Sequence, residues 1–106
     1  MNETWTKSEK EIARRVYGSA YLRECKAIAE DVRRAIAGVE DPAELWKIHD
    51  LLTKRRRQMD EKYDFRYSVL VWVLGRLVRE GWITEEEVEG LSADKLATIK
   101  EVAAAR

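Results

Sequence analysis

From Tyr21 to Val39, apolar residues recur at alternating spacings of four and three: Tyr21, Cys25, Ile28, Val32, Ala35 and Val39. That is the seam of a helix that packs lengthwise on another helix. Upstream, Thr6-Lys7-Ser8-Glu9 has the form of a capping box, and no breaker stronger than Gly18 intervenes before Gly38. One helix of about thirty residues is predicted, roughly 45 Å long at 1.5 Å per residue. A compact domain of this chain length is only about 35 Å across. The helix therefore overhangs its own domain, and a second copy of the chain is the expected neighbour on the seam.

Asp41-Pro42-Ala43-Glu44 restarts the chain, with Asp41 as N-cap, Pro42 at the first helical position and Glu44 closing a capping box. The second helix is predicted to run to about Asp60. At 100° per residue, Leu45, Ile48, Leu52 and Met59 share one stripe, with Arg55 at its edge. Trp46, His49, Asp50, Thr53, Arg56, Arg57 and Asp60 fill an adjoining sector roughly 120° wide. The first stripe is a packing face, and the second is a surface with an aromatic anchor, donors and acceptors. A homodimer interface is expected over Tyr21, Cys25, Ile28 and Val32 of the first helix and Leu45, Ile48 and Leu52 of the second.

Tyr63 to Glu80 mixes β-branched and other apolar residues densely enough to suit a strand, but its length and the Gly81 stop favour a helix. Its middle turns are apolar all round, which predicts the buried element of a small head. Ser68, Gly75 and Arg79 form its one small or polar sector, bordered by Trp72. A short helix is expected from the cap at Thr84 to Gly90, and a last one from Ser92 to about Ala104. The fold class is all-α: a long antiparallel two-helix stalk that forms a homodimer (residues 1–62), and a compact helical head (residues 63–106).

Composition adds exclusions. The chain has 106 residues, enough for one domain or one small two-part fold, and its 20 basic and 20 acidic residues cancel. That balance argues against nucleic acid and against acidic membranes as partners. The longest aliphatic and aromatic run, Val69 to Leu74, is too short to span a bilayer. The start of the chain has no signal-peptide pattern. Cys25 has no partner for an intrachain disulfide, which fits a reducing cytosol. A cytoplasmic protein is expected.

Candidate chemistry is sparse, and a non-enzyme without metal or other cofactor is expected. Cys25 and His49 would make a dyad only if Cys25 left the helical seam, where it reads as a small buried hydrophobe. His49 has no second histidine or cysteine at metal-ligand spacing. Gly38, Gly81 and Gly90 read as helix stops, not as a phosphate-binding loop. Glu85-Glu86-Glu87 suits a solvated first turn. Lys54-Arg55-Arg56-Arg57 points in four directions round a helix, so it makes no basic stripe. Trp46, off the apolar stripe beside His49, Asp50 and Arg56, is open to two readings, core residue or binding hot spot.

One stretch carries a family likeness. Leu45-Trp46-Lys47-Ile48-His49-Asp50, Arg56, and Asp60-Glu61-Lys62-Tyr63-Asp64 with Arg66 and Ser68 resemble the fluorescence recovery protein family of cyanobacteria. Trp5, Ala20-Tyr21, Arg23-Glu24, Glu80-Gly81 and Asp94-Lys95 agree, so the likeness covers nearly the whole chain. The resemblance implies a helical homodimer that binds no pigment and regulates photoprotection. Such a protein would bind the photoactivated orange carotenoid protein through that receptor's C-terminal domain. It would speed the receptor's return to the orange form and its detachment from the phycobilisome, near the cytoplasmic face of the thylakoid. The family's partner-binding positions fall on Trp46, His49, Asp50 and Arg56, with its head aromatic on Trp72. Departures lie in the head: Leu74-Gly75 where the family has Phe-Ala, and Thr98 where some members have lysine. The alternatives are a helical adaptor or chaperone-like protein with a non-carotenoid client, and a small regulator of nucleic acid, which the neutral charge disfavours.

Overall fold

The structure, a computed structural model, describes residues 4–105. Every regular element among them is helical: α1 (Lys7–Ala37), α2 (Pro42–Lys62), α3 (Leu70–Arg79), a single 3-10 turn (Glu86–Val88) and α4 (Ala93–Ala104). The start of the chain before residue 4, where the absence of a leader pattern was read, lies outside the described residues.

The first helix begins where its cap pattern sets it. The Glu9 amide donates to Thr6 Oγ1 at 3.1 Å and the Thr6 amide donates to Glu9 Oε1 at 3.0 Å, satisfying two of the free amides of the first turn. Its 31 residues span about 46 Å. The molecule measures 54 × 27 × 24 Å with a radius of gyration of 16.7 Å, longer than a compact domain of its size. Asp41 caps α2 by accepting from the Ala43 amide at 2.9 Å. Glu44 does not close the expected box. It accepts instead from the Glu40 amide, one residue further back.

The two helices form an antiparallel hairpin, since Arg55 of α2 meets Asp31 of α1 while Lys62 meets Glu24. Ile48 and Met59 fill the seam between them. Ile48, expected at an interface between copies, is 8% exposed and is already covered within one chain.

The head corrects the sequence expectation in three places. The helix expected from Tyr63 starts only at Leu70; residues 63–66 have no regular structure and 67–69 form a turn. The reason is a two-residue period. Tyr63, Phe65 and Tyr67 alternate with Asp64, Arg66 and Ser68, which suits extended chain with one apolar side. The aromatic side lies on α1: Tyr17 sits edge-on to Tyr63 and Phe65, and Tyr67 lies 5.6 Å from Trp5. Asp64 Oδ1 accepts from the Arg66 amide at 3.1 Å and holds the turn. Secondly, the short helix expected between Thr84 and Gly90 is one 3-10 turn, closed by reciprocal bonds between Thr84 and Glu87. Thirdly, Gly75 is not on the polar side of α3. It is buried against α4, where a Cβ would stand 2.6 Å from Val102 Cβ. Arg76 takes its place on the exposed side.

The core crosses the boundary expected at residue 62. Ala13, Val16 and Ala20 from the first half of α1 join Leu70, Leu74, Leu77 and Ile99 in one cluster, closed by Trp5. The alanines let α1 lie close over α3, and Gly75 does the same between α3 and α4. Buried ions tie the same elements. Lys95 reaches Glu9 Oε1 at 3.3 Å and lies over the Trp5 ring, while Lys62 sits between Glu24 and Glu80. Arg23 forks onto Glu87 and donates to the Trp82 carbonyl oxygen at 2.9 Å.

Candidate functional site

Because Ile48, Met59 and Lys62 of α2 face α1, the opposite side of that helix is left to solvent. Trp46 stands there with 64% of its surface exposed. His49, Asp50, Arg56 and Asp60 follow along the same side, over about 15 Å between Trp46 and Arg56. The side chains have few commitments within the chain. His49 Nδ1 is 3.6 Å from Asp50 Oδ1, beyond hydrogen-bond reach, and Arg56 Nε is 3.9 Å from Asp60 Oδ2. The Arg56 side chain is 83% exposed, so most of the five donors of its guanidinium are free for a carboxylate or carbonyl from outside.

Beside this row lies an apolar groove of about 350 Å³ between the two helices. Tyr21, Cys25 and Ile28 of α1 and Leu52 and Met59 of α2 line it, with Arg55, Arg56 and Asp60 at its edge. Of the residues assigned to an interface between copies, Tyr21, Leu45 and Leu52 are exposed, Cys25, Ile28 and Val32 are half-buried and Ile48 is covered. Arg56 belongs both to the exposed row and to the rim of the groove. Sequence reading kept those two surfaces apart because a helical wheel has no neighbouring helix on it.

Trp72 is exposed on α3 and stands apart from the row on α2. Its surroundings are Val69, Val73 and Arg76 of its own segment, with Glu61 and Lys62 from the end of α2 and Asp64 just beyond it. The periodicity showed Trp72 bordering a polar sector but missed Arg76, a residue i+4 from Trp72 that shares its side. It also missed the position of Lys62. The only available signal was that Lys62 follows Met59 by three residues on the buried stripe.

The head positions that depart from the family pattern are structural here. Leu74 is fully buried, and Thr98 Oγ1 donates to the Asp94 carbonyl oxygen within α4. Among the described residues, no group of three His, Cys, Asp or Glu side chains is placed to hold a metal ion. No helix among them is long and apolar enough to cross a membrane.

The fold and these surfaces define a small all-α protein, a helical hairpin carrying a compact head, with aromatic and charged side chains presented along one exposed helix face. The chain belongs to the fluorescence recovery protein family of photoprotection regulators, whose model matches residues 5–103. The fluorescence recovery protein of Synechocystis sp. (strain PCC 6803) is 35% identical over 99 residues, covering 93% of this chain and 91% of the relative. Two solved structures share the fold over 96% of this chain and all of theirs. The Fremyella diplosiphon fluorescence recovery protein superposes with a TM-score of 0.89 at 35% identity, and the Synechocystis protein with 0.90 at 34%.

Proposed function

We propose that this photoprotection regulator works as a homodimer that binds the photoactivated orange carotenoid protein, returns it to its inactive orange form and helps detach it from the phycobilisome. The single observation that supports this reading best is the row on α2: an exposed tryptophan, and an arginine with uncommitted donors, in a chain of this family. Tryptophan and arginine dominate binding hot spots because one supplies buried area and the other directed, charge-assisted bonds. Trp46 and Arg56 grip the receptor's C-terminal domain, His49 and Asp50 contact it between them, and Trp72 with Arg76 offers a second surface on the head.

The physical work is to bring two separated halves of an opened receptor together. Closure costs loop entropy, and a scaffold that holds one half beside the other raises their effective concentration. It accelerates closure only if it binds the closing arrangement better than the fully open one. It must also release the closed product for turnover to continue. An elongated molecule with one surface on the hairpin and another on the head suits that task. The dimer places Tyr21, Leu45 and Leu52 against a second copy, with Cys25, Ile28 and Val32 behind them.

The test is dark recovery of the photoactivated receptor, followed by absorbance, beside thermal melts of each variant. Trp46→Ala and Arg56→Leu are expected to cost about 2 kcal/mol of binding each, roughly thirtyfold in affinity, and to slow recovery while melting like the parent. A lower melting temperature with unchanged recovery per folded protein would make these residues structural and end the proposal.

A further inference from the structure

Lys62 ends α2, at the elbow where the chain leaves the hairpin for the head. Its side chain is only 6% exposed. The ammonium lies 2.6 Å from Glu24 Oε2 on α1 and 2.6 Å from Glu80 Oε1 at the end of α3. Both acids are fixed from other sides. Tyr63 Oη donates to Glu24 Oε1 at 2.7 Å, while Arg76 Nε and Trp82 Nε1 donate to Glu80. Burial pulls the Glu80 carboxyl up, but bonds from Lys62 and Arg76 outweigh it and hold the group below the ordinary value. Burial, then the Glu24 carboxylate, push the Tyr63 hydroxyl well above its ordinary range. It therefore stays a donor.

The placement matters because α1 belongs to both halves of the molecule while α2 does not. The first half of α1 is part of the head core, whereas α2 meets the head only at the elbow, through a segment without helix. Replacing all three charged groups by apolar side chains of similar volume would take no charge out of water and often costs nothing in stability. Lys62→Met alone, by contrast, leaves the buried Glu24 carboxylate without its cation and lowers stability. An apolar contact, however, lets helices slide, whereas an ammonium between two oriented carboxylates has one place to sit.

We propose that Lys62 is a positioning residue, which pins the end of α2 to α1 and to the head and so sets the separation between the Trp46–Arg56 surface and the Trp72–Arg76 surface. The functional half of this inference rests on the two-surface reading given above. The geometric half stands without it.

The experiment measures distances between spin labels at positions 54 and 100, in a Cys25→Ala background, with labelled chain diluted into unlabelled chain. Lys62→Met is compared with its parent, and Glu80→Gln is the second variant should Lys62→Met fail to fold. The parent should give one narrow distance distribution. Lys62→Met should broaden it while helix content stays unchanged. Affinity for the photoactivated receptor, held by the intact row on α2, should stay within about twofold, while the recovery rate at saturation falls roughly tenfold, as expected for misplaced reacting groups. An unchanged distribution in a folded variant overturns the inference, and a broadened one with full recovery rate overturns its functional half. Failure of the function reading looks different: Trp46→Ala would then leave recovery untouched, while the distances still respond to Lys62.

Discussion

Gly75 shows what one residue decides in the head. Its α carbon lies close against α4, and a methyl group there would stand 2.6 and 2.8 Å from Val102 side-chain atoms and 3.3 Å from the Ile99 carbonyl oxygen. Gly75→Ala gains helix propensity but must push α4 away. Overpacking of this kind costs about 1–3 kcal/mol, more than the roughly 1 kcal/mol that alanine returns in a helix. A lower thermal midpoint is expected, and a Gly75→Ala, Val102→Ala double variant should recover most of the loss. Were the single variant to melt higher than its parent, the close approach would be wrong. Trp46 is the opposite case, since nothing in the chain covers it, so its replacement should be silent in a melt and visible only with a partner present.

At the scale of elements, the hairpin leaves apolar surface unused. Leu52 is 40% exposed on α2 across a groove from Tyr21 and Ile28, while Met59 beside it is buried. A second copy laid on that groove would cover Leu52, Tyr21 and Leu45 without disturbing Ile48, which each chain buries for itself. Leu52→Glu should therefore yield folded monomers by light scattering, with helix content intact. A full-size dimer at the same concentration would move the interface elsewhere. A charge at half-buried Ile28 would strain the hairpin as well as any interface, whereas one at exposed Leu52 would not.

For the whole molecule, the links between head and hairpin set the response to acid. Burial raises the Glu9 carboxyl, but the Thr6 and Ser92 amides and Lys95 together hold it below the ordinary 4.5. Glu80 is held low in the same sense, and Glu87 by the Arg23 fork. Groups whose folded values lie below their unfolded ones bind fewer protons when folded. Their stabilisation is complete above the unfolded value and is lost as pH falls through the folded one. The thermal midpoint should thus fall steadily on acidification below about pH 4.5. Glu9→Gln should lower the midpoint at neutral pH, by leaving buried Lys95 without its carboxylate, and should flatten the acid limb. Melts between pH 3 and 7 check both, and an acid limb as steep as the parent's would exclude Glu9 as a contributor.

Local signals determined much of this protein. The caps at Thr6, Asp41 and Ser92 fixed three helix starts because a capping side chain and its target amides are at most three residues apart. The apolar stripe on α2 gave the packing side to which Ile48 and Met59 belong, and the sector beside it grouped His49, Asp50 and Arg56 with Trp46, since a helix repeats regularly enough to be read without neighbours. That Trp46 is exposed, and that Leu45 and Leu52 of the stripe are too, came from the packing. The motif around these residues was also enough to indicate the family. Only the tertiary structure decided the rest. Tyr63 to Val69 gave up helix because three alternating aromatics could be buried on α1, a gain invisible to local propensity. Gly75 became a contact because α4 returned to it. Lys62, an unremarkable lysine in the chain, became a buried cation because Glu24 and Glu80, 38 and 18 residues away, converge on the same point. Periodicity records which side of a helix is apolar, but which distant charges meet there depends on how the helices are stacked.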